Sequence, residues 1–234
     1  MATLIYGKNP VREALKASRN FLEAYVLEGQ NNDVIDMLKE RHIKVKYLTK
    51  QKMQTMFPSS HQGVGALVDD YDTISLKEAL AKPNRKLFVM LDSLEDPHNL
   101  GAILRTAEAF NISGVIIPKN RSVQITPTVV KVSAGAIEYV DIISVTNLNQ
   151  TIQTLKSHNI WVVGTDLDAD QNVSEIHPDT DVCVVFGSEG KGLGRLIKES
   201  CDYLVKIPMQ GKINSLNVSV SCGIILHDII QRRG

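Results

Sequence analysis

The sequence predicts an α/β protein, a parallel sheet with helices on both faces, preceded by a smaller α/β unit. Three observations carry this. From residue 87 onward, short apolar runs bounded by turn residues recur: LFVML at 87–91, GVIIP at 114–118, IWVVG at 160–164, VCVVF at 182–186 and YLVKI at 203–207. Continuous apolar runs suit strands buried on both faces, and the helical stretches between them supply the covering layers. The first seventy or so residues show their own, shorter alternation of helix and strand.

In chain order, Asn9 is the candidate cap of a helix begun by Pro10, with Val11, Ala14 and Leu15 on one face. Residues 24–27 read as a strand, 34–41 as a helix, 43–48 as a strand and 63–68 as a last strand. The expected division is a small unit at 1–72, a linker at 73–86 containing Pro83 and Asn84, and a larger unit at 87–234.

Composition narrows the function. A chain of 234 residues with 43% apolar side chains buries a substantial core, which excludes a disordered chain or a disulfide-stapled miniprotein. With 26 Lys and Arg against 26 Asp and Glu, it does not coat nucleic acid by bulk charge; a local basic face remains open. Cys183, Cys201 and Cys222 are far apart, without a Cys-x-x-Cys pair or a His at zinc spacing, so no metal site is expected. No apolar run approaches the ~20 residues of a membrane span, and residues 1–16 lack a secretory core, so a cytoplasmic protein without membrane attachment is expected.

Three polar loops follow three of the apolar runs, at the strand ends where open α/β sheets bind ligands. In the first, residues 92–99 lead into a helix with Leu100, Ile103, Leu104 and Ala107 on one face. Asn99 is its candidate cap, and Arg105 lies off the apolar stripe. The second, GSEGKGLG at 187–194, departs from both phosphate-cradling glycine spacings, and Glu189 would repel a phosphate. It reads either as a tight turn or as backbone closely approaching a ligand without phosphates. The third runs from Ile207 into a helix on which Val218, Cys222, Ile225, Leu226 and Ile229 share a face. Ser215 and Asn217 are candidate caps, and with Asn214 they are also neutral groups able to orient a hydroxyl or a zwitterion.

Together, DPHNLGAILRTAEAF, VVFGSEGKGL and IPMQGKINSLNVSVSCGI resemble the three signature motifs of the SpoU (TrmH-like) family of RNA ribose methyltransferases, over about 87–233. YGKNPVREAL near the start is similar to the substrate-binding domain of many bacterial members, an L30e-like unit. The resemblance implies a deep carboxyl-terminal trefoil knot, a topology that connection rules disfavour. It implies bound S-adenosylmethionine and a homodimer, with the helix from Val218 as a candidate contact. The implied substrate is RNA and not DNA: a ribose 2′-hydroxyl, of a guanosine in 23S ribosomal RNA ahead of transfer RNA. By matching position, Asn99, Arg105, Glu189, Ser215 and Asn217 take the catalytic roles. Gly187, Ile207 and Leu216 take cofactor-contacting positions, lined by Thr165 and Met209. Ser221 and Cys222 depart from close relatives, which often carry Ala there; Cys222 is read as a core residue and not as a nucleophile.

Residues 39–52 hold six Lys or Arg against one acid. Lys44, Lys46, Lys50 and Lys52 are the candidate RNA contacts, the alternative being a solvated charged face.

Overall fold

The structure is a computed structural model and describes residues 2–120, 122–188, 190–212 and 215–233. The chain forms two compact units, one of residues 1–72 with 125–139, the other of 73–124 with 140–234. The segment 125–139 thus clusters with the first unit, although it lies within the stretch expected as the larger one.

In the first unit β1 (Ala2–Tyr6), β2 (Phe21–Leu27), β3 (Val45–Leu48) and β4 (Val64–Asp69) form a sheet of order β1-β4-β2-β3. β4 is antiparallel to both its neighbours, and β2 and β3 are parallel. Two helices, α1 (Lys8–Lys16) and α2 (Asp33–Glu40), bury Val11, Ala14, Leu15, Val34, Ile35 and Leu38. α3 (Lys50–Met56) sends Met53 into a separate cluster with Tyr6, Tyr25 and Phe57. The Phe57 ring lies so close over Gly65 that a Cβ there would sit 2.4 Å from it.

Asn9 does not cap α1. That helix begins two residues earlier than expected, after Gly7 at φ 96°, a left-handed value open to glycine, and Asn9 instead accepts from Arg12 at 2.9 Å. Asn32, unremarked in the sequence, caps α2.

The expected linker contains a helix, α4 (Leu76–Ala81), closed at its start by a reciprocal Ser75–Glu78 capping box. Its apolar side joins the core of the second unit through Leu76, Ala79 and Leu80. The remaining elements are β5 (Leu87–Leu91), α5 (Pro97–Ala109), β6 (Gly114–Pro118), α6 (Pro127–Val132), β7 (Ile142–Val145), α7 (Leu148–Ser157), β8 (Trp161–Thr165), β9 (Gln171–Asn172), β10 (Val182–Phe186), α8 (Arg195–Ser200), β11 (Tyr203–Lys206) and α9 (Val218–Arg232). Of these only α6 belongs to the first unit.

The second unit's sheet has the order β7-β6-β5-β10-β8-β11-β9, and every pair is parallel. Alternate residues of β5 and β10 face opposite layers. Phe88, Met90, Cys183 and Val185 pack with α4, α7 and α8. α5 and α9 lie against each other, close enough that a Cβ on Gly223 would meet Thr106 at 3.9 Å.

From β5 the chain proceeds to β6 on one side, whereas from β10 it proceeds to β11 on the other. The order therefore switches between β5 and β10, and a crevice opens at their carboxyl ends, where residues 92–96 and 187–194 emerge.

Candidate active site

A cavity of about 570 Å³ lies at the carboxyl ends of β8, β10 and β11. Thr165, Gly187, Ile207, Met209 and Leu216, the five residues that the resemblance implies as cofactor contacts, all line it. Ser215 joins them, with Val218, Ser221 and Ile225 of α9. Thr165 is held by its hydroxyl, which donates to the carbonyl of Val185 at 3.0 Å. Met209 and Leu216 are 36% and 41% exposed, apolar surface facing an open cavity rather than the core.

Gly187 has no room for a side chain: a Cβ there would lie 2.1 Å from the carbonyl carbon of Gly192. The segment folds back on itself because Ser188 and Gly192 exchange backbone hydrogen bonds of 3.2 and 3.0 Å. The stretch is a tight turn, and its backbone lines the cavity.

A larger hollow of about 1180 Å³ lies on the other side of the same loop and shares Ser188, Lys191 and Gly192 with the first. Asn99 lines it, together with Asp92, Asp96 and Arg195. Asn99 is not the cap of α5: Asp96 is, its carboxylate accepting from the amide of His98 at 2.8 Å. The helix starts earlier because Pro97 suits a first-turn position and Asp96 is itself a good cap. Asn99 is thereby placed one turn in, 4% exposed, with its side-chain oxygen accepting from Nδ2 of Asn217 at 2.9 Å.

Asn217 caps α9. Its Oδ1 accepts from the amide of Ser219 at 2.9 Å and from that residue's hydroxyl at 2.6 Å. Ser215, the other candidate cap, is exposed at the cavity wall.

Arg105 is exposed on α5 and lines neither hollow. Six residues along an α-helix place it about 9 Å beyond Asn99 and about 120° around the axis. Among the described residues Arg105 makes no hydrogen bond or ion pair. Glu189 and Asn214 lie outside the described residues.

Charge of both signs borders the smaller cavity. Lys198 and Asp166 pair at 2.5 Å, and Lys191, Lys206 and Asp168 stand on the wall. Among the described residues no His, Cys, Asp or Glu group is placed to hold a metal ion, and no helix is long and apolar enough to cross a membrane. Burial raises the Cys222 thiol far above its ordinary value and raises Cys201 to about 11, against the pull of Lys156. Both are protonated, unreactive thiols at neutral pH.

Sequence reasoning passed over Asp92, Ser188, Lys191, Asp166 and Lys198. The signal for Asp92 was its place directly after an apolar run, where a carboxylate is out of keeping with the core.

In the first unit Lys44 and Lys46 face Glu23, at 3.7 and 2.8 Å. A hydrogen bond from Lys46 leads the causes that lower the Glu23 carboxyl below its ordinary value. Lys50 and Lys52 are exposed at the start of α3.

Residues 86–227 match the SpoU rRNA Methylase family, and residues 4–74 match a domain described as RNA 2′-O ribose methyltransferase substrate binding. YacO of Bacillus subtilis strain 168, assigned to the TrmH family of tRNA/rRNA methyltransferases, is 43% identical over 237 residues, covering 98% of this chain and 95% of its own. Two solved structures share the fold. The SpoU methyltransferase AviRb from Streptomyces viridochromogenes, in complex with AdoMet, superposes with a TM-score of 0.86 at 22% identity, over 99% of this chain and 90% of its own. An AdoMet-bound rRNA methyltransferase from Sinorhizobium meliloti gives 0.80 at 23%, over 98% and 87%.

Proposed function

The chain belongs to the SpoU rRNA methylase family, and from that premise we propose that it transfers a methyl group from S-adenosylmethionine to a ribose 2′-hydroxyl of RNA. The observation that carries the reading is a convergence. Five cofactor positions implied by the resemblance line one cavity, and the loop that walls it also lines the hollow of the buried Asn99, which accepts from Asn217.

The cavity suits the cofactor. Its volume lies within the ~300–1,000 Å³ of small-molecule sites, its wall at Gly187 admits no side chain, and it combines apolar surface with both charges, as a zwitterionic nucleoside requires. When bound, S-adenosylmethionine supplies a methyl group on a positively charged sulfur. Leu216, Ile207 and Val218 would cover its apolar parts, and Ser215 offers a hydroxyl at the rim.

What the chain must add is alignment and charge. A ribose hydroxyl is a weak nucleophile, so its oxygen has to be held in line and its proton removed. The Asn99–Asn217 amides, fixed by the α9 cap, present oriented donors and acceptors for that sugar. The Arg105 guanidinium serves as a cation for the developing alkoxide and a neighbouring phosphate. Water or that phosphate takes the proton.

The carboxyl-terminal segment is proposed to be knotted, and the first unit to be an L30e-like RNA-binding module. α9 leaves Val220 and Ile224, four residues apart, 49% and 39% exposed, and we assign this face to a homodimer contact. Ribosomal RNA, with a 23S guanosine as target, is placed ahead of transfer RNA, and the protein in the cytoplasm with those substrates. Mapping 2′-O-methylation across total RNA with and without the protein tests this. One ribose gaining a methyl group confirms the reading; calorimetry showing no S-adenosylmethionine binding overturns it and leaves a non-catalytic RNA-binding scaffold.

A further inference from the structure

Asp92 stands one residue beyond β5 and is 8% exposed. Its backbone amide bonds to the carbonyl of Phe186 at 2.8 Å, continuing the ladder between β5 and β10 by one rung. Its side chain then reaches across: Oδ2 accepts from the amide of Gly194 at 2.8 Å, and Oδ1 from the hydroxyl of Ser93 at 2.9 Å. Ser93 is held at φ 59°, a left-handed conformation unusual for a residue with a side chain.

The loop that these bonds meet is fixed at its entrance by β10 and at its neck by the Ser188–Gly192 pair. Its exit runs into α8, where the amide of Lys198 donates to the carbonyl of Gly194 at 2.9 Å. Gly194 occupies the cap position of α8 and has no side chain to cap with. A carboxylate 102 residues away in sequence instead accepts from the amide of the cap residue itself. Leu193 beside it is buried and packs against Gly164, which keys the exit on its apolar side as well.

We propose that Asp92 is a positioning residue for methyl transfer, its buried carboxylate clamping the exit of the 187–194 loop so that one loop can form a wall of both hollows. A carboxylate suits the task because its bond to an N–H is charge-assisted and short. A buried carboxylate in turn requires fixed donors, so the Gly194 amide and the Ser93 hydroxyl hold it as firmly as it holds them. The restraint on the loop stands on geometry alone; its consequence for methyl transfer rests on the function proposed above.

The test compares Asp92→Asn and Asp92→Ala with the wild-type protein by amide hydrogen exchange and by S-adenosylmethionine calorimetry. Asn keeps an acceptor but loses the charge, so exchange within 187–194 is expected to quicken about 5-fold and the Kd to rise by a similar factor. Ala is expected to exceed 10-fold in both, with exchange in the first unit unchanged. Asp92→Asn with wild-type exchange and affinity overturns the clamp, as does a change spread evenly over the whole second unit. Should Ala fail to fold, the Asn variant decides alone. If wild-type protein binds no S-adenosylmethionine while the loop still loosens in the variants, the function falls and the restraint stands.

Discussion

Asn217 donates a 2.9 Å hydrogen bond from Nδ2 to Oδ1 of Asn99, 118 positions away in sequence. The orientation of the Asn217 amide is not free, because its oxygen is committed to the first turn of α9. One side chain therefore ends a loop, starts a helix and fixes the amide of a buried residue on another helix. Asn217→Asp keeps the cap and removes the donor. We expect stability within ~1 kcal/mol of wild type by chemical denaturation, Asp and Asn being near-equal caps. Methyl transfer to RNA should nonetheless fall by about 100-fold, the cost of losing one preorganised group. Equal activity in the Asp variant would remove the amide pair from the mechanism.

Arg105→Lys separates charge from shape. Lysine keeps the cation and loses the planar fork that holds a phosphate and an alkoxide together. Single-turnover methylation should slow by about 100-fold, while affinity for S-adenosylmethionine stays at the wild-type value because Arg105 does not line that cavity. A Lys variant as fast as wild type would leave the charge alone sufficient.

Gly187→Ala tests the loop wall. The added methyl would overlap the backbone of Gly192 at 2.1 Å, so the turn must open. Calorimetry should show at least a 10-fold rise in the Kd for S-adenosylmethionine. Gly29→Ala is the comparison: Gly29 has a positive φ, 76°, which Gly187 lacks, but no atom within 4 Å of the new methyl. It should cost about 1 kcal/mol of stability and leave the Kd unchanged.

The sheet was legible because β5, β6, β8, β10 and β11 are each short apolar runs with turn residues beyond them. β7 was passed over: IISV holds a serine and follows a polar turn, so its period is too short to register. The two residues of β9 carry no pattern at all. α4 hid inside a Pro- and Asn-containing stretch, though Ser75 and Glu78 at capping-box spacing announced it. At the site, positions were easier to read than roles. Ser215 and Asn217 were equivalent candidate caps in sequence, and only the fold, by bringing Asn99 beside one of them, separated them. The Asp92–Gly194 bond spans 102 residues and leaves no local trace.

His61 supplies a pH dependence in the first unit. It is 9% exposed beside the Phe57 ring, and its Nδ1 accepts from the amide of Gly63 at 2.8 Å, which requires that nitrogen to be unprotonated. Burial, and then the Lys131 ammonium, lower its pKa below the ordinary 6.5. The unfolded chain therefore takes up a proton at a higher pH than the folded one. The stabilisation is complete above about 6.5 and is lost as pH falls through the lowered folded value. Urea unfolding of the first unit, followed by its own NMR signals, should show a falling midpoint between pH 7 and pH 5. His61→Gln should flatten that slope. An unchanged slope would assign it to another group.

The four candidate lysines of the basic segment 39–52 divide into two pairs whose environments differ. Lys44 and Lys46 already face Glu23, at 3.7 and 2.8 Å, whereas among the described residues Lys50 and Lys52 pair with no acid and stand exposed at the start of α3. A phosphate approaching the first pair competes with a carboxylate; one approaching the second pair displaces only counterions. Replacing Lys50 and Lys52 by Ala should therefore weaken RNA binding more than replacing Lys44 and Lys46. If each contacts a phosphate of single-stranded RNA, the former should lower the salt slope by about 1.4, or roughly 0.7 per charge. Glu23→Gln releases the first pair and should strengthen binding and steepen the slope. Both measurements are equilibrium titrations of a labelled RNA at several salt concentrations. If the four lysines contribute equally and Glu23→Gln has no effect, the pairing seen in the first unit does not bear on RNA.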